Sequence, residues 1–180
     1  MRRTLTPSLL LLAVVASACS PTGDQSTAAR VELVAPVYVD AAAHGPADAT
    51  HLTGDQEKPI PVDTKAVGQF VMWENPDGSI SYRLIASNIM NVTQAHIHRA
   101  TNANGTGGIV VWLYPSAPPL QLIPGRHSGV LATGTFDADD LVGTLDNMSI
   151  ATLLSELAAG RLYVNVHTSQ FPAGEIRGDM

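Results

Sequence analysis

The amino-acid sequence predicts an all-β fold, an antiparallel β-sandwich of Greek-key type with one short helix. Three observations predict it. Short runs of β-forming residues recur between turn signals from residue 66 to residue 178. The turn Asn75-Pro76-Asp77-Gly78 separates two of these runs and predicts a hairpin. One segment, residues 150–159, repeats its apolar residues with the period of a helix.

The amino terminus has the order of an export signal. Arg2 and Arg3 precede an apolar stretch over residues 9–16, which is shorter than the roughly 20 residues of a membrane-spanning helix. The small residues before Cys19 resemble a bacterial lipobox and also fit an ordinary signal-peptidase site. We favour the lipobox, because Cys19 is the only cysteine and has no internal disulfide partner. Residues 1–19 are predicted to be a signal peptide with a lipid-modified Cys19, and simple secretion is the alternative.

This prediction places the protein outside the cytoplasm. The lipid would anchor it to a membrane, and Ser20 would permit sorting to an outer membrane. We expect an outer-membrane or cell-surface lipoprotein that faces the periplasm or the exterior. Removal of Arg2 and Arg3 leaves eight Lys and Arg against 16 Asp and Glu, a formal charge of −8. The eight cations are scattered singly along the chain, which disfavours nucleic acid as a partner.

The mature chain divides into a linker and one domain. Residues 20–49 are predicted to be a flexible linker, because small and polar residues dominate both ends of the segment. Apolar residues alternate in strand fashion between residues 31 and 39, but Pro36 interrupts them, so an edge strand there stays an open alternative. The folded domain is predicted over residues 50–180, a usual size for one domain with one core.

Each predicted element has its own local signal. The helix is expected to begin after Ser149, which can cap it, and to end at Gly160. Residues 115–124 contain four prolines and are predicted to be a surface loop. The predicted strands are residues 66–74, 79–87, 92–99, 108–114, 129–136, 161–167 and 174–178.

The residues most informative for function are histidines on two predicted strands. Side chains alternate along a strand, so His96 and His98 share one face and aliphatic residues occupy the other. In residues 162–168, His167 shares its face with Asn165 and Tyr163, again opposite aliphatic residues. Polar groups of two strands therefore converge if the strands are neighbours.

A third predicted strand adds to this polar face. Glu175 and Arg177 alternate with an aliphatic residue near the carboxyl terminus. The aliphatic faces are expected to form the core. The histidines are therefore expected on the outer face of the sheet, or in a pocket at its edge.

The histidines suggest a metal site. Two histidines at positions i and i+2 of a strand can reach one metal ion, and a third from an adjacent strand completes a set suited to copper or zinc. The sequence predicts a site formed by His96, His98 and His167, with Asn165 and Glu175 orienting the imidazoles. The alternative is that these histidines only form cross-strand hydrogen bonds.

The other motifs give weaker indications of a functional site. His44 and His51 near the linker are interpreted as structural or solvated, as is His127, which is also an outside candidate for a fourth ligand. Ser128 follows His127, but neighbouring strand residues point to opposite faces and cannot form a nucleophile pair. The Gly-rich segment 104–108 precedes a β-run and not a helix, so it is predicted to be a turn and not a phosphate loop. No catalytic residue is assigned.

Three blocks of the sequence resemble the CHRD domain family, first described as a repeat in the animal protein chordin. They are residues 52–57 continuing to residue 68, Ala95-His96-Ile97-His98 with the turn at 104–105, and residues 160–178. Together they span nearly all of the predicted domain. The resemblance implies an extracytoplasmic β-sandwich and supplies no reaction.

The sequence suggests three functions in order of preference. The first is a metal-binding module for copper or zinc, and the second is a non-metal interaction or scaffold domain for a protein or glycan partner. An exposed aromatic patch near Trp73, Trp112 or Tyr114 would favour the second. The His-x-His motif also resembles copper/zinc superoxide dismutase, whose copper is held by strand histidines. The chain has no counterpart of that enzyme's disulfide or of its His- and Asp-rich zinc loop, so a dismutase-like enzyme ranks third.

Overall fold

Seven strands and one α-helix make up residues 47–180, the part of the chain that this computed structural model describes. Short 3-10 turns lie at residues 54–56, 138–140 and 143–145. In chain order the elements are β1 (Ala47–Thr53), β2 (Val67–Glu74), β3 (Ile80–Arg99), β4 (Ile109–Tyr114), β5 (Ile123–Phe136), α1 (Ile150–Ala158), β6 (Leu162–Thr168) and β7 (Ile176–Asp179).

Strand β3 is the centre of the sheet. It runs for 20 residues and pairs antiparallel with β2, β4, β5 and β6. Asn88 and Asn91 have φ values of 57° and 53°, and the register of the β3–β5 pairing shifts around them. Asparagine tolerates this left-handed region better than most residues, so the strand continues through the irregularity. The two runs predicted over residues 79–87 and 92–99 are thus one strand.

The strands close into a ring. Strand order β2-β1-β7-β6-β3, together with the β2–β3 pairing, gives a closed five-strand barrel, and β4 and β5 are added through β3. The prediction of an all-β fold with one helix is confirmed. The pairing differs from the predicted two-sheet sandwich, because β1 pairs with β2 and also meets β7 at Thr53 and Arg177.

Two local predictions are confirmed. The turn after β2 makes a hairpin with β3, and the Asn75 backbone N–H donates to the Ser79 carbonyl at 2.8 Å. Helix α1 begins after Ser149, whose hydroxyl accepts from the Thr152 backbone N–H at 3.2 Å. Gly160 follows the helix with φ 63°, a conformation that glycine adopts without strain.

The aliphatic faces of β3, β6 and β7 form the core, as the alternation predicts. Ile97, Val164, Val166 and Ile176 are all fully buried. The opposite, polar face is also covered, since every residue of β6 is buried. The histidines therefore do not lie on a solvent-facing side of the sheet, which corrects the expectation of an outer face.

The amino-terminal predictions fall largely outside the described residues. This holds for the signal peptide, Cys19, the alternating segment around Pro36 and His44. The predicted linker, however, overlaps the start of β1, because residues 47–49 pair with residues 71–73 of β2. Among residues 47–180, no helix has the length and apolar character needed to cross a membrane.

Candidate metal centre

The register of the sheet brings the polar side chains of three strands together. Asn165 of β6 lies opposite His96 of β3 on one side and opposite Arg177 of β7 on the other. In the same register His98 faces Tyr163. Directly opposed side chains have Cβ atoms about 5 Å apart, so these groups form one layer on the sheet.

His96, His98 and His167 form a buried cluster within this layer. One ring nitrogen from each lies within 4.8 Å of the others, and the residues are 0%, 8% and 6% exposed. His96 Nδ1 and His167 Nε2 are 3.3 Å apart. Two nitrogens bound to one tetrahedral metal at about 2.0–2.1 Å would be separated by about 3.3–3.4 Å. The distance between these two nitrogens therefore fits two ligands of one metal ion, and it also fits a hydrogen bond between the imidazoles.

Backbone carbonyls fix the tautomers of two histidines. His98 Nδ1 lies 3.0 Å from the Gly107 carbonyl oxygen, and His167 Nδ1 lies 3.0 Å from the Pro172 carbonyl oxygen. A carbonyl only accepts, so both Nδ1 atoms carry the hydrogen and donate it. Each Nε2 therefore presents a lone pair. Metal-bound histidines commonly donate their other ring N–H to such a carbonyl.

Two ring nitrogens of the cluster have no hydrogen-bond partner among residues 47–180. They are Nε2 of His96 and Nε2 of His98, and both are buried. A buried polar atom without a partner costs roughly 1–3 kcal/mol. A cation bound by His96 Nδ1 and by Nε2 of His98 and His167 would give the lone pair of His98 Nε2 a partner.

Burial keeps the imidazoles neutral. It lowers the pKa of His96 to about 2, with the neighbouring His167 and His98 contributing in the same direction. Burial also lowers the pKa of His98 to about 4, although the bond to the Gly107 carbonyl acts the other way. The pKa of His167 is lowered by burial as well. Neutral imidazole is the form that binds metals, so the cluster is ready to bind at neutral pH.

An aromatic stack separates the cluster from a buried cation. The rings of His98 and Tyr163 are stacked, with centroids 4.8 Å apart and planes 8° from parallel. The Arg177 guanidinium lies 3.5 Å from the Tyr163 ring centroid on this stack. Arg177 also forms an ion pair with Asp179 at 2.7 Å and donates to the Gly105 carbonyl at 2.7 Å. Its positive charge is thus balanced by Asp179.

The two residues predicted to orient imidazoles have other contacts. The Glu175 carboxylate accepts hydrogen bonds from Thr64 at 2.7 Å and Thr168 at 2.8 Å. The Asn165 side chain lies beside the carboxyl of Glu57, since a Cβ atom on Gly174 would lie 2.5 Å from Glu57 Oε1 and 2.6 Å from Asn165 Nδ2. In this structure the hydrogen bonds that orient His98 and His167 come from the backbone.

The sequence patterns did not identify several groups around the cluster. The Gly-rich turn at residues 104–108 covers the polar layer and supplies the carbonyls that His98 and Arg177 use. Trp112 of β4 packs against His96 with centroids 4.3 Å apart and planes at 89°. Glu57 contributes a buried carboxyl. Only the pairing of His96 with Trp112 across two strands could have been expected, once the order of the strands was known.

The remaining histidine and aromatic candidates lie elsewhere. His127 is on β5 opposite Ile89 and is not in the cluster, and His51 is exposed on β1. An apolar cavity of about 310 Å³ is lined by Met72, Trp73 and Met180, among others. Trp112 and Tyr114 are half-buried.

The fold and the cluster define a small β-barrel domain with three converging neutral imidazoles. A family model described as CHRD domain matches residues 49–180. The chain therefore belongs to the CHRD domain family. A search of curated proteins found no match, and a search of solved structures also found none.

Proposed function

We propose that this CHRD domain binds one copper or zinc ion through His96, His98 and His167. The observation that carries the proposal is the convergence of three neutral imidazoles whose nitrogens lie within 4.8 Å of one another. Nε2 is the ligand atom of His98 and of His167, because Nδ1 of each donates to a carbonyl.

The cost of burying a ring nitrogen without a hydrogen-bond partner favours metal binding by these histidines over a purely structural role. Cross-strand hydrogen bonding would satisfy only the His96–His167 contact and leave Nε2 of His98 without a donor among the described residues. An apolar replacement of similar size would avoid the cost of burying such an atom. Three nitrogen ligands also leave a further coordination position for water or a small ligand, as in open zinc sites.

Isothermal titration of the apo-protein with Cu²⁺ and Zn²⁺ tests the proposal. We expect one-to-one, submicromolar binding that is lost in H96A/H98A and in H167A. His51→Ala is the matched control, because His51 is exposed on β1 and outside the cluster. Absence of binding in the parent, or equal binding by the cluster variants, would return the histidines to a structural role.

We also propose that the domain is exported and anchored through a lipid on Cys19. The supporting observations are the basic and apolar order of residues 2–16 and the small residues before a single cysteine. Mass spectrometry of the mature amino terminus should find a diacylglyceryl Cys19. Cys19→Ser should move the protein from the membrane fraction to the soluble fraction, whereas an unmodified terminus would support simple secretion.

A further inference from the structure

We propose that the neutral Glu57 carboxyl loses a proton when the metal binds, and that the resulting carboxylate supplies the counter-charge of this metal centre. The inference rests on the proposed metal site. Glu57 is not a ligand of the metal, and it acts on the site through Asn165.

The Glu57 side chain is buried at the edge of the polar layer. It is 5% exposed, and its Oε1 has no hydrogen-bond partner among residues 47–180. Its backbone N–H donates to the Gly54 carbonyl at 3.1 Å, which fixes the chain where the carboxyl turns inward. A buried carboxyl oxygen without a donor is costly in the ionised state.

Gly174 makes room for Glu57 beside Asn165. A Cβ atom on Gly174 would lie 2.5 Å from Glu57 Oε1 and 2.6 Å from Asn165 Nδ2. Those distances are too short for any side chain, so the carboxyl and the amide converge over a position that must be glycine. The loop that carries Gly174 also carries Pro172, whose carbonyl orients His167.

Asn165 connects this carboxyl to the histidines. Its Nδ2 and the Glu57 carboxyl flank the same point at Gly174, and its backbone lies opposite His96 in the sheet. Its Oδ1 has no hydrogen-bond partner among the described residues. A polar path therefore runs from the Glu57 carboxyl to the imidazole cluster through one amide.

The charged groups around Glu57 would not balance the positive charge of a bound divalent cation. Arg177 and Lys58 both form ion pairs with the single carboxylate of Asp179, at 2.7 Å and 2.6 Å. Glu175 accepts from two threonine hydroxyls. The three imidazoles are neutral, so adding a divalent ion would bury further positive charge unless another carboxylate ionises.

Glu57 is protonated at mildly acidic pH and can supply that charge. Burial raises its pKa to about 7, although Arg177 and the bonds from Lys58 and Asn165 oppose the shift, and Asp179 adds to it. A divalent cation nearby favours the charged form and lowers the pKa again. At pH 6 metal binding would thus release close to one proton from Glu57, and none from His96 or His98, whose pKa values lie well below that pH.

Calorimetry at pH 6 in two buffers of different ionisation enthalpy counts the released protons. The probe is Zn²⁺, or Cu²⁺ if the parent binds only copper. We expect close to one proton per metal for the parent and close to none for Glu57→Gln, with affinity lowered about tenfold or more. Glu57→Asp should restore proton release, and the exposed Asp55→Asn should behave as the parent.

The outcomes separate the two proposals. If the parent binds no metal, the metal site itself is rejected. If the parent binds metal through the histidines but Glu57→Gln releases as many protons and binds as tightly, the role of Glu57 is rejected while the site stands. A purely structural role for Glu57 could change affinity, but it would leave the proton count of the bound fraction unchanged.

Discussion

At the scale of single residues, two backbone carbonyls determine what the histidines can bind. The Gly107 and Pro172 carbonyls hold the hydrogens of His98 and His167 on Nδ1 and leave Nε2 free to coordinate. Both carbonyls belong to loops that the sequence indicates only as turns. The candidate ligands could be predicted from strand alternation, but their orientation depends on the carbonyls of Gly107 and Pro172, nine and five residues further along the chain, in loops whose conformation the alternation does not determine.

Stability of the apo-protein should fall as the pH decreases from about 6.5 towards 4. Over this window the histidines of the unfolded chain bind protons, whereas burial keeps the pKa of His96 at about 2 and that of His98 at about 4 in the folded state. The unfolded state then holds more protons, so acid favours it. Glu57 acts in the opposite sense, because its raised pKa gives stability at low pH that is lost as the pH rises towards 7.

The histidine effect should dominate, since three imidazoles oppose one carboxyl. Urea unfolding at pH 7.5, 6.5 and 5.0 measures it. His98→Phe should flatten the slope between pH 6.5 and 5.0, and His51→Ala should leave it unchanged. A parent protein that is equally stable at all three values would contradict the burial of neutral imidazoles.

Gly174→Ala should destabilise the domain more than Gly129→Ala. Both glycines have positive φ, 129° and 139°, so both variants bear backbone strain of about 1–3 kcal/mol. Only at Gly174 would the new Cβ also collide with Glu57 and Asn165, because nothing lies within 4 Å of a Cβ on Gly129. Urea unfolding measures the free energy of unfolding of each variant. Equal losses of stability would show that the contact of the new Cβ with Glu57 and Asn165 costs no free energy.

At the scale of elements, local signals predict some segments well and others poorly. Helix α1 was predictable, because its cap, apolar period and terminal glycine all lie within a few residues. Strand β1 was not, since Leu52 is its only large aliphatic residue and pairing with β2 holds it in place. The burial of the polar face could not be predicted either, because loops distant in sequence cover it.

Deletion of β1 should abolish folding. A chain that begins at residue 47 keeps the pairing with β2 and the contact of Thr53 with Arg177 of β7, and it should fold. A chain that begins at residue 54 loses both and leaves the ring open between β2 and β7. Circular dichroism during heating should show a cooperative transition only for the longer chain. A cooperative transition in both would show that β1 is dispensable.

At the scale of the whole molecule, one strand links the ring to the candidate site. Strand β3 pairs with β2 through its first half and presents His96 and His98 in its second half. Metal binding would therefore hold the neighbouring strands β3 and β6 together through side chains as well as through backbone pairing.

Metal should raise the unfolding temperature of the domain. A ligand at 100 times its dissociation constant stabilises the native state by about 2.7 kcal/mol, which corresponds to a shift on the order of 10 °C for a domain of this size. H96A/H98A and H167A should show no shift, and H51A should shift as the parent. Differential scanning calorimetry with and without Zn²⁺ or Cu²⁺ measures it. A similar shift in the cluster variants would place the metal elsewhere.

The edge-on contact between Trp112 and His96 gives the protein an optical signal of its own. The two rings have centroids 4.3 Å apart, so a cation on His96 lies close to the indole. Zinc has a filled d shell and leaves indole emission largely intact, whereas the open shell of copper(II) quenches it. The chain has one other tryptophan, Trp73, in the apolar cavity, where it provides an internal reference. Emission of the unlabelled protein would then distinguish which of the two metals it carries.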